Sequence, residues 1–160
     1  MEWLTKQTEG LCSFLNVIAG CTLTCMMLLT TTDVILRFFK MPLVGAYELV
    51  AFGGGIVVGF SIPYCSLKKG HILVDSFITG FSSKVRMIFH LITRLMGLIL
   101  FAILAWNMYR MGMDMLHSGE VSLTLEMPFY PVLFGIGFAC LVQCLVLIVQ
   151  MSQVIGGTYE

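Results

Sequence analysis

Charge is what this sequence lacks. Of 160 residues only 11% are Asp, Glu, Lys or Arg, under half the ~25% of an ordinary soluble domain. With 58% hydrophobic residues and a mean hydropathy of +0.95, the chain cannot coat a soluble globule, and it is too apolar for intrinsic disorder. Nine basic residues balance nine acidic ones, so there is no positive field for nucleic acid. Of the three histidines, at 71, 90 and 117, only His90 falls in an apolar stretch, so the paired axial ligands of a membrane haem are missing. There is no P-loop and no convergent Ser/His/Asp set, hence no support for nucleotide hydrolysis or nucleophilic catalysis. The six cysteines, at 12, 21, 25, 65, 140 and 144, contain no C-x-x-C. Cys21/Cys25 and Cys140/Cys144 are i,i+4 pairs that could ligate a metal if they faced each other; otherwise they are small packing residues of a span. None falls in an expected outer loop, so no disulfide and no cofactor is expected.

What is present is apolar length. Four stretches, about 11–32, 47–67, 85–116 and 128–153, reach the ~20 residues a helix needs to cross a bilayer. In hydrocarbon every backbone group must pair within its segment, and no stretch alternates with period two, so helices are expected rather than a barrel. The expected fold is an all-α integral membrane protein, one four-helix domain over residues 1–160. Helix is expected to continue from the first span to Lys40, where Met41-Pro42 stops it. Glu48 falls in the first turn of span two, Gly119 at the end of span three, and Pro128 and Pro131 in the first turn of span four. Between spans two and three, Leu73, Val74, Phe77, Ile78 and Phe81 share an arc of roughly 140° at ~100° per residue. Residues 71–81 are therefore expected to form a short amphipathic helix in the membrane interface.

Positive residues mark the cytoplasmic side. Lys6, Lys68, Lys69, Lys84 and Arg86 fall on one side, and Arg37, Lys40 and Arg110 on the other. Both termini and the middle loop are expected inside, with loops 40–46 and 117–127 outside. The first span is expected to be retained: Ile18-Ala19-Gly20-Cys21 has the form of a lipoprotein cleavage box, but the apolar run continues past Cys21.

Asp33/Arg37 and Arg110/Asp114 are i,i+4 pairs able to neutralise themselves near the outer interface. Arg94 lies about two turns inside span three and must either snorkel to the cytoplasmic face or pair with Asp75 or with a carboxylate of another chain. No acidic residue sits at mid-membrane, as proton-coupled transport by this chain alone would want. Ala51, Gly55 and Gly59 form a small-xxx-small ladder suited to close helix approach. Gln143 and Gln150 share a face of span four and should meet protein, either another span of this chain or a partner.

Several of these segments occur together in one family. The end of span one, Asp33-Val34-Ile35-Leu36-Arg37-Phe38, runs into Pro42-Leu43-Val44-Gly45-Ala46-Tyr47-Glu48. Lys68-Lys69-Gly70-His71-Ile72-Leu73-Val74-Asp75 carries G-x-H-I-x-V-D, and Pro128-Phe129-Tyr130-Pro131 enters span four. Over nearly its whole length the chain resembles the small membrane subunit, Q-type or DctQ-like, of a TRAP (tripartite ATP-independent periplasmic) transporter. It departs from the family in having Gly45-Ala46-Tyr47-Glu48 where a tryptophan and two acids are common, and Gly135-Ile136-Gly137 where proline-glycine is common.

The resemblance implies a non-catalytic subunit in the cytoplasmic (inner) membrane of a bacterium or archaeon. Its partners would be a large membrane subunit, which carries the substrate and sodium sites, and a periplasmic substrate-binding protein that captures an organic acid of carboxylate or sialic acid type. The chain's end at Glu160 makes a separate large-subunit polypeptide the expectation. Arg37, Lys40, Glu48 and Glu126 are expected on the binding-protein side, and Ala51, Gly55, Gly59, Gln143 and Gln150 against the large subunit. Two other classes stay open: a membrane redox protein using His90 and the cysteines, and a small self-sufficient transporter working as an oligomer.

Overall fold

The computed structural model describes residues 2–68 and 83–155. Among them are four long helices: α1 (Glu2–Phe38), α2 (Ala46–Leu67), α3 (Ser83–Ser118) and α4 (Tyr130–Ile155). The amphipathic helix expected at 71–81, with Leu73, Val74, Phe77, Ile78 and Phe81, lies outside the described residues, as does Asp75. Each of the four helices contains a stretch long and apolar enough to cross a membrane. Only 11–33% of each stretch's most apolar window is buried within the chain. Most of the apolar surface therefore faces outward, which in water would be untenable.

At 1.5 Å per residue, α1 and α3 are ~55 Å long, against a hydrocarbon thickness of ~30 Å. α1 starts at Glu2 rather than near Leu11 because no proline interrupts residues 2–10. The apolar run marks only its membrane part.

The first helix closes on a left-handed residue. Lys40 has φ 60°; its N–H donates to the Arg37 carbonyl and the Met41 N–H to the Leu36 carbonyl, both at 3.0 Å. This is the Schellman pattern, with Lys40 in the place glycine usually takes and Pro42 following. Gly45, φ 81°, begins α2. Gly119, φ 67°, ends α3 with its N–H on the Met115 carbonyl. Pro128 does not belong to α4, contrary to expectation. It pairs with Val121 in an isolated antiparallel bridge, an extended geometry that holds it out of the helix. Only Pro131 occupies the first turn, where its missing N–H would have had no helical acceptor. Inside α2, Pro63 is fully buried and removes the bond to the Gly59 carbonyl.

The helices pack in the order α1–α2–α4–α3, with a smaller contact between α1 and α4. In the N-terminal half of α1 that contact is a core of Cys12, Leu15, Val142 and Val146, flanked by Phe60 and Tyr64 of α2. Glycines set the close approaches. A Cβ on Gly59 would lie 3.2 Å from Ile136 Cγ1 and 3.7 Å from Ile136 Cα; one on Gly112 would lie 2.9 Å from the Phe134 ring.

Candidate functional site

Two polar constructions stand at opposite ends of the layer, and each ties helices or loops together.

At the end carrying the α1–α2 and α3–α4 loops, Asp33 and Glu48 organise the loops. Asp33 accepts from Arg37 Nε at 2.8 Å and from the Leu43 N–H at 2.9 Å, so one carboxylate pins the α1–α2 loop to the end of α1. Glu48 reaches across to the α3–α4 loop, where its two oxygens accept the N–H groups of Thr124 at 3.0 Å and Leu125 at 3.1 Å. The buried Ser122 hydroxyl lies beside the same carboxylate. The loop closes on itself through Ser122 N–H to the Met127 carbonyl and Glu126 N–H to the Ser122 carbonyl. Glu126 sits at φ 52°. Leu125 fills the space above Gly45, where a Cβ would meet its side chain at 2.5–2.8 Å. The α1–α2 and α3–α4 loops thus form one platform. It presents Arg37, Lys40 and Glu126 outward, with exposed apolar residues including Phe38, Tyr47 (86% exposed) and Leu123 (99% exposed).

At the opposite end, Gln143 (1% exposed) donates to Ser66 Oγ at 3.0 Å, and Gln150 Nε2 donates to the Ser66 carbonyl at 2.8 Å. Arg94 (9% exposed) donates from Nη1 to the Gln150 carbonyl at 3.1 Å. The chain of contacts joins α2, α4 and α3. The buried Oε1 of Gln143 has no hydrogen-bond partner. One guanidinium nitrogen of Arg94 is thus directed at the α4 backbone.

The expected site residues divide accordingly. Arg37, Lys40 and Glu126 are exposed at the end carrying the α1–α2 and α3–α4 loops. Glu48 lies at the same end, but its carboxylate is engaged by the α3–α4 loop. Gly55 and Gly59 face Ile136 of α4, and Gln143 and Gln150 bond Ser66 of α2. These four residues pack within the chain, because the layer order puts α2 and α4 side by side. Ala51 remains exposed. The Asp33–Arg37 ion pair is formed. It is the only one among the described residues: Arg110 and Asp114 are both exposed and stay apart, as solvated pairs gain little from contact.

Sequence reasoning missed three functional groups. The double amide capture by Glu48 carried no spacing signal, since its partners lie 76 and 77 residues away. The left-handed role of Lys40 was hinted at only by Pro42. Ser66 was available as one of the few polar side chains near the C-terminal end of span two, at the depth where Gln143 needs a partner.

The two cysteine pairs do not converge. Cys21 and Cys25 are exposed on α1, whereas the Cys144 thiol is directed at the Leu98 carbonyl of α3. All six cysteines are free, and no cluster of three His, Cys, Asp or Glu suited to a metal occurs among the described residues. The redox alternative gains no support from these groups.

A family model described as "Tripartite ATP-independent periplasmic transporters, DctQ component" matches residues 26–157. No curated protein and no solved structure matches the chain.

Proposed function

The chain belongs to the DctQ-component family of tripartite ATP-independent periplasmic transporters, and from that membership we propose how this non-catalytic small membrane subunit works. It scaffolds the large membrane subunit of a sodium-coupled uptake system for an organic acid, of carboxylate or sialic acid type. Both termini lie in the cytoplasm, and the platform built on Asp33 and Glu48 faces the periplasm.

The observation that carries this reading is how the polar groups are used. Along the membrane normal, Asp33, Glu48, Ser66, Gln143 and Gln150 all bond other groups of the chain and so hold it in one shape. A rigid layer with a locked outer platform suits a static support. The platform's exposed cations, Arg37 and Lys40, contact the periplasmic binding protein, with Glu126 and the apolar residues around them. The large subunit packs on apolar surface left uncovered. Ala51 belongs to that surface, together with exposed side chains of α1 and α3 such as Val17, Met27, Ile99 and Ile103.

The test is the double reversal Arg37→Glu with Lys40→Glu. The assembled membrane complex, held in nanodiscs, should still form but should bind the binding protein more weakly. Unchanged binding would remove these residues from the interface. A small self-sufficient transporter has no specific observation in its favour.

A further inference from the structure

The loop joining α3 to α4 is a folded unit in its own right. Ser122 donates its N–H to the Met127 carbonyl at 2.9 Å, Glu126 donates to the Ser122 carbonyl at 3.1 Å, and Val121 pairs with Pro128 in an antiparallel bridge. These bonds close between residues of the loop and need no other element. The unit has a pivot at each end. Gly119, φ 67°, has open space where a Cβ would stand. At the other end Pro128 lies outside α4, next to Phe129, whose ring is anchored on Phe52 of α2 with centroids 5.0 Å apart.

What ties this unit to α2 is separate from what folds it. Among the described residues, the hydrogen bonds between residues 119–128 and α2 all go to one side chain, Glu48, from the Thr124 and Leu125 amides and the Ser122 hydroxyl. The remaining tie is apolar, the Leu125 side chain over Gly45 at the start of α2. Neither set of backbone bonds borrows from the other. The loop folds on the N–H groups of Ser122 and Glu126 and fastens with those of Thr124 and Leu125. The helices do not depend on the tie either: α2 and α3 each pack on α4, so the layer keeps its order whether or not the loop is fastened. In the fastened position Ser122 is buried (3% exposed), and residues 121–123 cover one end of the cleft between α2 and α3.

We propose that residues 119–128 form a strap, latched to α2 by Glu48, that swings as one piece on Gly119 and Pro128. Glu48 is then the lock of the platform. Latched, the strap covers Ser122 and the end of the cleft; released, it uncovers both while the four helices stay packed. Leu123 (99% exposed) and Glu126 ride on the strap, so the surface that the platform presents moves with it. The device follows from bonds within this chain and does not rest on the subunit's place in a transporter.

The test is residue-resolved amide hydrogen exchange of the full chain in nanodiscs. Glu48→Ala removes both acceptor oxygens of the latch. Exchange at Thr124 and Leu125 should quicken at least about tenfold, as for the loss of a hydrogen bond to a charged group. The Ser122 and Glu126 amides, which bond within the strap, should keep their wild-type rates, as should the amides of the helices. Leu125→Ala loosens the apolar tie with Glu48 intact and should quicken exchange at Thr124. It supplies the reading if Glu48→Ala does not fold, as judged by helical circular dichroism. Quickening at Ser122 and Glu126 together with Thr124 overturns the proposal, because the loop then melts rather than swings. A wild-type rate at Thr124 in the folded variant overturns it too, because the strap then stays fastened without its latch.

Discussion

Replacing Gly59 by leucine should destabilise the subunit itself, before any partner is considered. A Cβ at this position would lie 3.2 Å from Ile136 Cγ1, 3.5 Å from Cγ2 and 3.7 Å from Cα. The first two atoms belong to a β-branched side chain with a stiff χ1, and the third is backbone, so none yields easily. Nor can α4 retreat. On its other side Gly137 brings it against α3, where a Cβ would lie 3.4 Å from Met108 Cβ and 3.8 Å from the Ala105 carbonyl oxygen. Overpacking of this kind costs about 1–3 kcal/mol, roughly 5- to 150-fold in the folding equilibrium. For a chain of this size the apparent melting temperature should fall by about 2–12 °C. The assay is thermal unfolding in detergent, followed by labelling of the fully buried Cys12, with the exposed Cys21, Cys25 and Cys65 changed to serine. Gly54→Leu is the control: its Cβ meets only the flexible end of Met26, at 4.0 Å, and should change little. If Gly59→Leu melts like wild type yet no longer co-purifies with the large subunit, the ladder faces outward and the packing of α2 on α4 is wrong.

Gly45→Ala should loosen the outer platform, because it meets both the left-handed backbone and the Leu125 side chain; adding Leu125→Ala should restore only the steric part, as read by thermal shift. Lys40→Gly should be neutral or stabilising, since glycine suits φ 60°, whereas Lys40→Val should lower the melting temperature. Glu48→Gln keeps one acceptor oxygen of two, so amide hydrogen exchange should quicken at Thr124 or Leu125 and stay unchanged within α2. Arg94→Leu leaves the Gln150 carbonyl without this donor and should cost ~1–3 kcal/mol; full stability of that variant would show that the inner polar chain contributes nothing.

Element existence was legible and element partnership was not. Composition alone demanded spanning helices, and Met41-Pro42 located the end of α1 to within a few residues. The Asp33–Arg37 pair was readable because its geometry is local to one helix. The glycine ladder at 51, 55 and 59 announced a close helix contact, but lipid and a partner subunit are equally apolar neighbours. Nothing in the pattern says that the helix is α4 of the same chain. Gln143 and Gln150 posed the same choice, and it was settled by Ser66 at a matching depth. Glu48 lies in the first turn of α2, as its position in the sequence required, yet its bonds there are to a loop 76 residues away, beyond the reach of any local pattern. Arg94 was recognised as costly; its acceptor, a helix carbonyl at Gln150, is a backbone atom that no side-chain pattern reveals.

In the proposed function this subunit supports transport without conducting it. The direct measurement is uptake of a panel of organic acids into proteoliposomes under an inward sodium gradient. This chain alone, the large membrane subunit alone and the two together are compared, each with and without the binding protein. Uptake is expected only when both membrane subunits and the binding protein are present. Uptake by this chain alone would contradict it, as would an unchanged rate from the large subunit and binding protein without this chain.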